Sequence, residues 1–413
     1  MNNSDQDFDI LISGAGFTGL TLASALAFSF GKTLKIGLVG SNPEQYSEKQ
    51  RKRAFAIAAS SAKMLDVLGL WKKLKAYTQP VYKIEITDSA LEAGVRPVLL
   101  TYNNTLQNGT PASFIVPAQK IAESLLDNIS SLSTVEFLPH KTCSDLSFSS
   151  NNVSVEFDCG ARVTTSLLLC AEGRDSNLRK RAGIGIINYN HKQTGIVTNI
   201  AHEEPHDGTA IQHFLPAGPF ASLPLPGGKR SAITWSENDE RASLILEMQD
   251  RDFLEEVDKR MGGKLGAVSL DGPRSGFSLK TQLVTKFVIP RFALVGDSAH
   301  SVHPIAGQGL NLAFRDIAVL CECISDGKRI GLDVADLTIL KRYERWRRFD
   351  ATCYTNGFVG LNLLFSNNSH LFRTVRQIGL TLVNKLPDLK SSLVREASGT
   401  NGRVPKLMSG ISP

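Results

Sequence analysis

The sequence predicts an α/β protein: a dinucleotide-binding βαβ unit, interleaved with a mixed β-sheet region and closed by a C-terminal helical segment. Three observations predict it. A glycine-rich turn, Gly14-Ala-Gly16-Phe-Thr-Gly19, separates two apolar runs near the N-terminus. A second punctuated stretch, Leu294-Val-Gly296-Asp297 through Pro304 to Gly307-Gln308-Gly309-Leu310-Asn311, stands far down the chain. Between them, short alternating runs are cut by proline and glycine turns, as in a sheet.

In order, Phe8–Ser13 is a strand, followed by the glycine turn, a helix from about Leu20 to Phe30, and a second strand over Leu34–Val39. A bare G-x-G-x-x-G is weak, but between strand and helix it is the Rossmann-type fingerprint. Gly14 allows the tight turn, Gly16 the approach of a phosphate, and Gly19 the contact of helix with strand. The plain alternative is an accidental glycine-rich turn. The acidic residue expected about twenty residues on is absent: Val39-Gly40-Ser41-Asn42 stands there, with Ser41, Asn42 or Glu44 as substitutes. The apolar run over Phe8–Phe30 imitates a membrane span, yet its glycines and its acidic upstream flank indicate a buried strand and helix.

Arg53 opens a stretch expected to run as one amphipathic helix to about Gly69; its guanidinium is a candidate for a pyrophosphate or nicotinamide phosphate, against the alternative of a solvated arginine. Val81–Asp88 and Val95–Tyr102 alternate like strands, Asn103–Pro111 is a polar turn region, and Pro117–Leu126 is helical. Four short strands of a meander follow, over 135–138, 143–148, 153–157 and 162–165. Leu167–Ala171 is a strand into the Glu172-Gly173 turn, where an acid could approach a pyrophosphate or ribose. Strands over 195–201, 210–215, 221–225 and 231–235 make a second, sheet-rich region, and Leu244–Met261 is one helix. The chain then returns to the first domain over Ser278–Lys286 and from Val288. Leu337–Phe349 is a charged helix, and Gly357–Leu389 is mostly apolar without a run long enough to span a bilayer.

The second glycine stretch begins as a strand, Arg291–Val295, and ends as a helix from Leu310 to Cys323. Glycine admits a flat ligand to the backbone, Pro304 fixes the loop, and the free N–H groups around Gln308 to Asn311 favour negative charge. These features suit a flavin, with Asp297 accepting from a ribityl hydroxyl; an ordinary strand–loop–helix connection, with Asp297 as a cap, is the alternative. His300 and His303 lie three apart in a loop rather than on a helix face, so no metal site is expected.

Composition narrows the class. A chain of 413 residues, 42% hydrophobic and 21% charged, builds two globular domains. The net charge of +6 fits an acidic cofactor or an anionic membrane surface, and nothing resembles a nucleic-acid module. The basic clusters at 49–53, 179–181 and 341–348 are expected to be solvated faces. Six cysteines without a C-x-x-C pair fit a reducing compartment. With no second G-x-G-x-x-G, a disulfide-reductase architecture is disfavoured.

Gly14-x-Gly16-x-x-Gly19, Ala171-Glu172-Gly173 and Gly296-Asp297-Ser-Ala-His300, in this order, resemble the single-component FAD-dependent aromatic hydroxylases. Arg53-Ala-x-Ala, Phe214-Leu-Pro-Ala-Gly-Pro219 and His303-Pro-Ile-Ala-Gly-Gln-Gly-Leu-Asn311 are similar to the ubiquinone-biosynthesis hydroxylases of the UbiH/UbiF type, over nearly the whole chain. The resemblance implies an FAD monooxygenase, reduced by NAD(P)H or another donor, that hydroxylates a polyprenyl phenol through a flavin C4a-hydroperoxide. It implies FAD contacts from Thr18, Arg53, Asp297, Gly309, Leu310 and Asn311, with Pro304 on the ring-binding face. His303 is a candidate for handling the phenolic proton, against the alternative that it packs. The resemblance divides the chain into an FAD domain (1–75, 112–182, 278–355), a substrate domain (76–111, 183–277) and a C-terminal helical segment (356–413). A cytoplasmic protein, peripheral to the inner membrane and partnered by a quinone-biosynthesis assembly, is the expected setting. The departures are Gly40 for the ribose acid, Glu172 for an aspartate, and Ala118 where a polar residue stands beside the flavin chain, unless Gln119 serves. Two rival readings remain: a hydroxylase of a soluble aromatic acid, and a flavin-less scaffold.

Overall fold

Five strands form the parallel spine of the first sheet, in the order Phe292–Leu294, Arg162–Cys170, Phe8–Ser13, Ile36–Gly40 and Val135–Pro139. The computed structural model describes residues 7–41, 52–88, 91, 98–139, 141–304, 307–366, 376, 379, 382–383 and 385–413. The central strand is Leu- and Ile-rich because it is covered on both faces, as a parallel sheet requires. The helix Phe17–Phe30 packs between the helices Ala118–Ser131 and Gly309–Arg329. That explains its nearly all-round apolar sequence, with Leu20, Leu22, Ala23 and Leu26 fully buried. Arg162–Cys170 is one strand where two were expected. Its first half pairs antiparallel with Val153–Phe157 and its second half parallel with Phe8–Ser13.

The second sheet has the order 300–301, 275–284, 186–202, 230–238, 218–224, 209–215, 83–88 and 98–103. It is antiparallel except where Thr209–Leu215 runs parallel to Lys83–Asp88. The strand Ile186–His202 is much longer than its sequence pattern indicated, because a bulge at Lys192, with φ +51°, lets it bend and continue. Residues 278–284, assigned on sequence to the first domain, pair with this strand instead. A small third sheet, Ala54–Ala58, Ser113–Pro117 and Gln79–Val81, links the two. The helix expected from Arg53 therefore starts only at Ala59, since alternation over 54–58 pairs with Ser113–Pro117.

Two helices, Asp239–Glu247 and Asp250–Met261, cover one face of the second sheet, packing Ala242, Ile245 and Phe253 against Phe220 and Trp235. A single helix was expected there. The break at Met248 is held by Arg274, which donates to the Met248 carbonyl and pairs with Asp250. The helix Leu337–Phe365 braces both sheets. Tyr343 donates to Leu294 O and Glu344 accepts from Phe287 N on the first sheet, while Phe358 and Phe365 pack with Phe214 on the second. Within 357–389, the residues 367–375, 377–378, 380–381 and 384 lie outside the described residues.

Candidate functional site

The two glycine stretches meet. A cavity of about 1090 Å³ between the sheets is lined by Gly14, Gly16, Thr18, Arg53, Glu172, Gly173, Asp297, Pro304, Gly307, Gln308, Gly309, Leu310 and Asn311. Gly19 and His303, also singled out in the sequence, do not reach its wall.

The first turn is shaped by steric necessity. Gly14 has φ +112°, and a Cβ there would stand 2.4 Å from the Ala171 carbonyl oxygen. A Cβ on Gly19 would lie 1.6 Å from Gly14 O, so this glycine seats the helix on the turn rather than touching a ligand. Gly16 caps the helix Phe17–Phe30 without a side chain, which leaves the helix N-terminus open to an anion. Glu172 is used internally. One carboxylate oxygen accepts from Ser13 at 2.7 Å; the other accepts from Ser176 at 2.8 Å and from Leu178 N at 3.1 Å.

The second turn is anchored from beneath. Asp316, fully buried, accepts from Gly296 N at 2.8 Å, from His300 Nε2 at 2.7 Å and from Arg347 Nε at 2.6 Å. Burial pushes its carboxyl up, but His300 and Arg347 outweigh that and hold it at about 2. The Gly296-Asp297 turn is thereby tied to the long helix. Asp297 faces the cavity; burial raises its pKa, opposed by His300, Arg174 and Arg53. Arg53 is itself shifted down by burial and back up by Asp297, and its guanidinium stands 5.5 Å from the rings of Phe55 and Phe277. Arg179 and Arg347 correct the expectation for the basic clusters. Both are buried, and Arg179 donates to Ser298 O and Arg174 O, clamping the 174 turn to the 298 loop. Part of the first cluster, 49–51, lies outside the described residues.

The helix Gly309–Arg329 begins at the cavity. Its first i→i−4 bond runs from Leu312 N to Gln308 O, so the N–H groups of Gly309 to Asn311 precede the ladder. Asn311 pins this end to the strand Ala54–Ala58: it accepts from Ala58 N at 2.9 Å and donates to Ala56 O at 2.8 Å. Gly307, with φ +60°, leaves a Cβ only 3.3 Å from Ala56 Cβ. Ala118 is buried with its N–H on Arg53 O, and Gln119 bonds Glu123 on the surface; neither lines the cavity.

His303 sits behind the wall of the cavity. It is fully buried, and neither ring nitrogen has a hydrogen-bond partner among the described residues. Its ring packs edge-on against His191 at 4.7 Å. Burial, reinforced by His191, lowers its pKa to about 3. Its neighbours Val302 and Pro304 line the cavity, whereas His303 stands behind that wall.

The charged side chains that line the cavity are Lys52, Arg53, Lys141, Arg174 and Lys280 with Glu172, Asp175 and Asp297, a cationic surplus of two, the sign and size that a pyrophosphate dianion needs. The cradle therefore fits FAD in shape and in charge. The apolar wall of its chamber is formed by Ile84, Ile86, Phe214, Leu223, Ile233 and Leu361, with Tyr102, Thr198, Gln212 and Thr234 as uncharged polar groups. Burial raises the Tyr102 phenol to about 12, so it remains a donor. Arg230 and Arg241, two arginines of the second region that could bind a carboxylate, pair with Asp271 and Glu256 and do not line the cavity.

Sequence reasoning did not single out Asp316, Arg347 or the apolar wall. Asp316 did carry a signal. Its neighbours at i±3 and i±4, Leu312, Ala313, Val319 and Leu320, are all apolar, which places an acid inside the core.

Residues 7–352 match the family model described as an FAD binding domain. The chain is 35% identical to the ubiquinone hydroxylase UbiL of Rhodospirillum rubrum, over 99% of this chain and 94% of that protein. It is 28% identical to the mitochondrial ubiquinone biosynthesis monooxygenase COQ6 of Danio rerio, over 95% of this chain and 90% of that one. Its fold is that of p-nitrophenol 4-monooxygenase PnpA from Pseudomonas putida, with a TM-score of 0.77 at 16% identity, covering 96% and 99% of the two chains. PqsL of Pseudomonas aeruginosa superposes with a TM-score of 0.75 at 18% identity, over 90% and 99%.

Proposed function

The chain belongs to the family of FAD-binding monooxygenases, and from that premise we propose that it hydroxylates the aromatic ring of a polyprenylated phenol in ubiquinone biosynthesis. The observation that carries this reading is one cavity lined both by the glycine turns with a cationic surplus and by a largely apolar wall from the second sheet. The relatives UbiL and COQ6 support the pathway by their names.

FAD, reduced by NAD(P)H or another donor, supplies the chemistry that activates O2 and delivers one oxygen atom to an electron-rich ring. The chain's own residues do the rest. The turn at Gly14–Gly16 and the helix ends at Phe17 and Gly309 hold negative charge. Asp297, steadied through Gly296 by Asp316, offers an acceptor to a hydroxylated chain. Pro304 and Val302 face the chamber where a ring would lie. Tyr102 and Thr234 offer hydrogen bonds to a phenolic oxygen without placing a charge beside a greasy tail, and the apolar wall excludes water. Among the described residues, those that form the apolar wall offer a carboxylated substrate no cation, which disfavours the soluble-acid reading. The intact cradle disfavours the scaffold reading.

The test is direct. The purified protein should carry or take up FAD, and turnover should convert prenylated phenols in preference to unprenylated aromatic acids. Absence of bindable FAD, or the opposite preference, would overturn the reading. A Gly16→Trp variant, which blocks the phosphate approach, should fail to rescue a deletion strain; rescue would favour the scaffold.

Membrane contact belongs to the same proposal. Among the described residues no helix is long and apolar enough to cross a membrane. The last long helix, Pro387–Ala397, exposes Leu389 and Leu393 beside Leu386 and Arg395, and its Ala397 reaches the cavity wall next to Gln308. This face would rest on an anionic bilayer and admit the tail. Liposome flotation should fall when Leu386, Leu389 and Leu393 become glutamate, and unchanged flotation would count against it.

A further inference from the structure

In a βαβ dinucleotide site the ribose lies off the C-terminal end of the second strand, where a carboxylate usually meets it. Here that place is Gly40, with φ +149°, and a Cβ on it would stand 2.5 Å from Ala15 N. The backbone excludes a side chain at this position, whatever the residue. Ser41, next in line, brings only a hydroxyl to the wall.

The adjacent strand ends level with it. Pro139 of Val135–Pro139 is in register with Gly40, and two residues beyond stands Lys141, which lines the same cavity as Gly14, Gly40 and Ser41. Its ammonium lies 5.1 Å from the centre of the Phe157 ring, which steers the side chain without neutralising it. Among the described residues no carboxylate comes within ion-pair distance of it. An ammonium here replaces the missing acid with the opposite hydrogen-bonding sense. It donates to ribose oxygens where a carboxylate would accept from them, and it attracts the neighbouring pyrophosphate.

We propose that Lys141 recognises the adenosine-diphosphate half of FAD in place of the absent carboxylate. The assignment rests on the FAD reading above and concerns how this chain grips that cofactor.

The experiment is a titration of apoprotein with FAD and with FMN, followed by flavin fluorescence. Lys141→Met keeps the apolar stem over Phe157 and removes the charge. It should raise the Kd for FAD roughly ten- to a hundred-fold and leave that for FMN, which lacks adenosine, unchanged. The apoprotein's melting temperature should not move. Added salt should weaken FAD binding more steeply in the parent than in the variant. Lys141→Glu should bind FAD more weakly still, by repelling the pyrophosphate. Equal FAD affinity in Lys141→Met and the parent would overturn the assignment, as would a proportionate loss of FMN. So would full affinity in Lys141→Glu, or a loss produced by Glu44→Gln and not by Lys141→Met. Those results sink this assignment alone, whereas a parent protein that takes up no FAD sinks the flavin reading with it.

Discussion

The two halves of the cavity are built by opposite means. The cradle half is made of backbone: its walls include the turns at Gly14, Gly173 and Gly307, and the charged side chains of the cavity join them. The chamber half is made of side chains from the second sheet and from Leu361 of the helix Leu337–Phe365, and the residues of its apolar wall carry no charge. Backbone turns demand particular residue types at particular positions and tolerate almost no change. A sheet face demands only apolar volume, and so it tolerates exchange. One cavity thus joins a part that specifies the cofactor to a part that is free to set the substrate.

The largest effect expected in the cradle comes from beneath it. Asp316→Ala strands His300 and Arg347 in the core, and a cost of about 3–5 kcal/mol is expected by denaturant unfolding, with FAD affinity lost alongside. The pH dependence has a defined sign. Because the folded carboxyl titrates at about 2, below its unfolded value, the contribution of Asp316 is complete above about pH 4 and is lost as pH falls towards 2. A variant whose stability and FAD affinity match the parent's would show that the anchor is idle.

Gly14→Ala comes next. Its Cβ collides with Ala171 O and its φ is left-handed, so a loss of about 2–3 kcal/mol and at least a tenfold fall in FAD affinity are expected by titration. Retained affinity would mean that the turn relaxes, and the contrast between rigid cradle and tolerant chamber would fail.

In the chamber, Leu361→Arg should leave FAD binding within about twofold while kcat/KM for a prenylated phenol falls about tenfold or more, the price of a charge in an apolar wall. Leu361 is partly exposed, so the fold should survive the change. Loss of FAD binding would show that the halves are coupled.

His303→Phe should have the smallest effect, under about 1 kcal/mol on stability, with an unmoved pH–rate profile. The parent should lose stability as pH falls from about 6.5 towards 3, since the unfolded imidazole takes up a proton that the buried one refuses. In the variant that slope should be shallower. A shifted pH–rate profile would give His303 a part in the chemistry.

The fold was largely legible because its signals are local. Phe8–Ser13, Gly14 to Gly19 and the strand at Ile36–Gly40 announce a βαβ unit through the spacing of glycines and apolar runs. The misreadings were those in which a distant partner decided the outcome. Residues 54–58 became a strand by pairing with Ser113–Pro117, and the helix expected over 244–261 broke where Arg274 reached Met248. Where His303 stands, behind the cavity wall and against His191, was not legible in its loop sequence.

The sequence by itself determined the cofactor class, because a phosphate-binding turn must be written in glycines at a set spacing that no tertiary contact can supply. Only the tertiary structure decided which charges are buried, which wall is apolar and where Lys141 stands. Those properties depend on strands far apart in the chain lying side by side, and on the desolvation that their contact imposes.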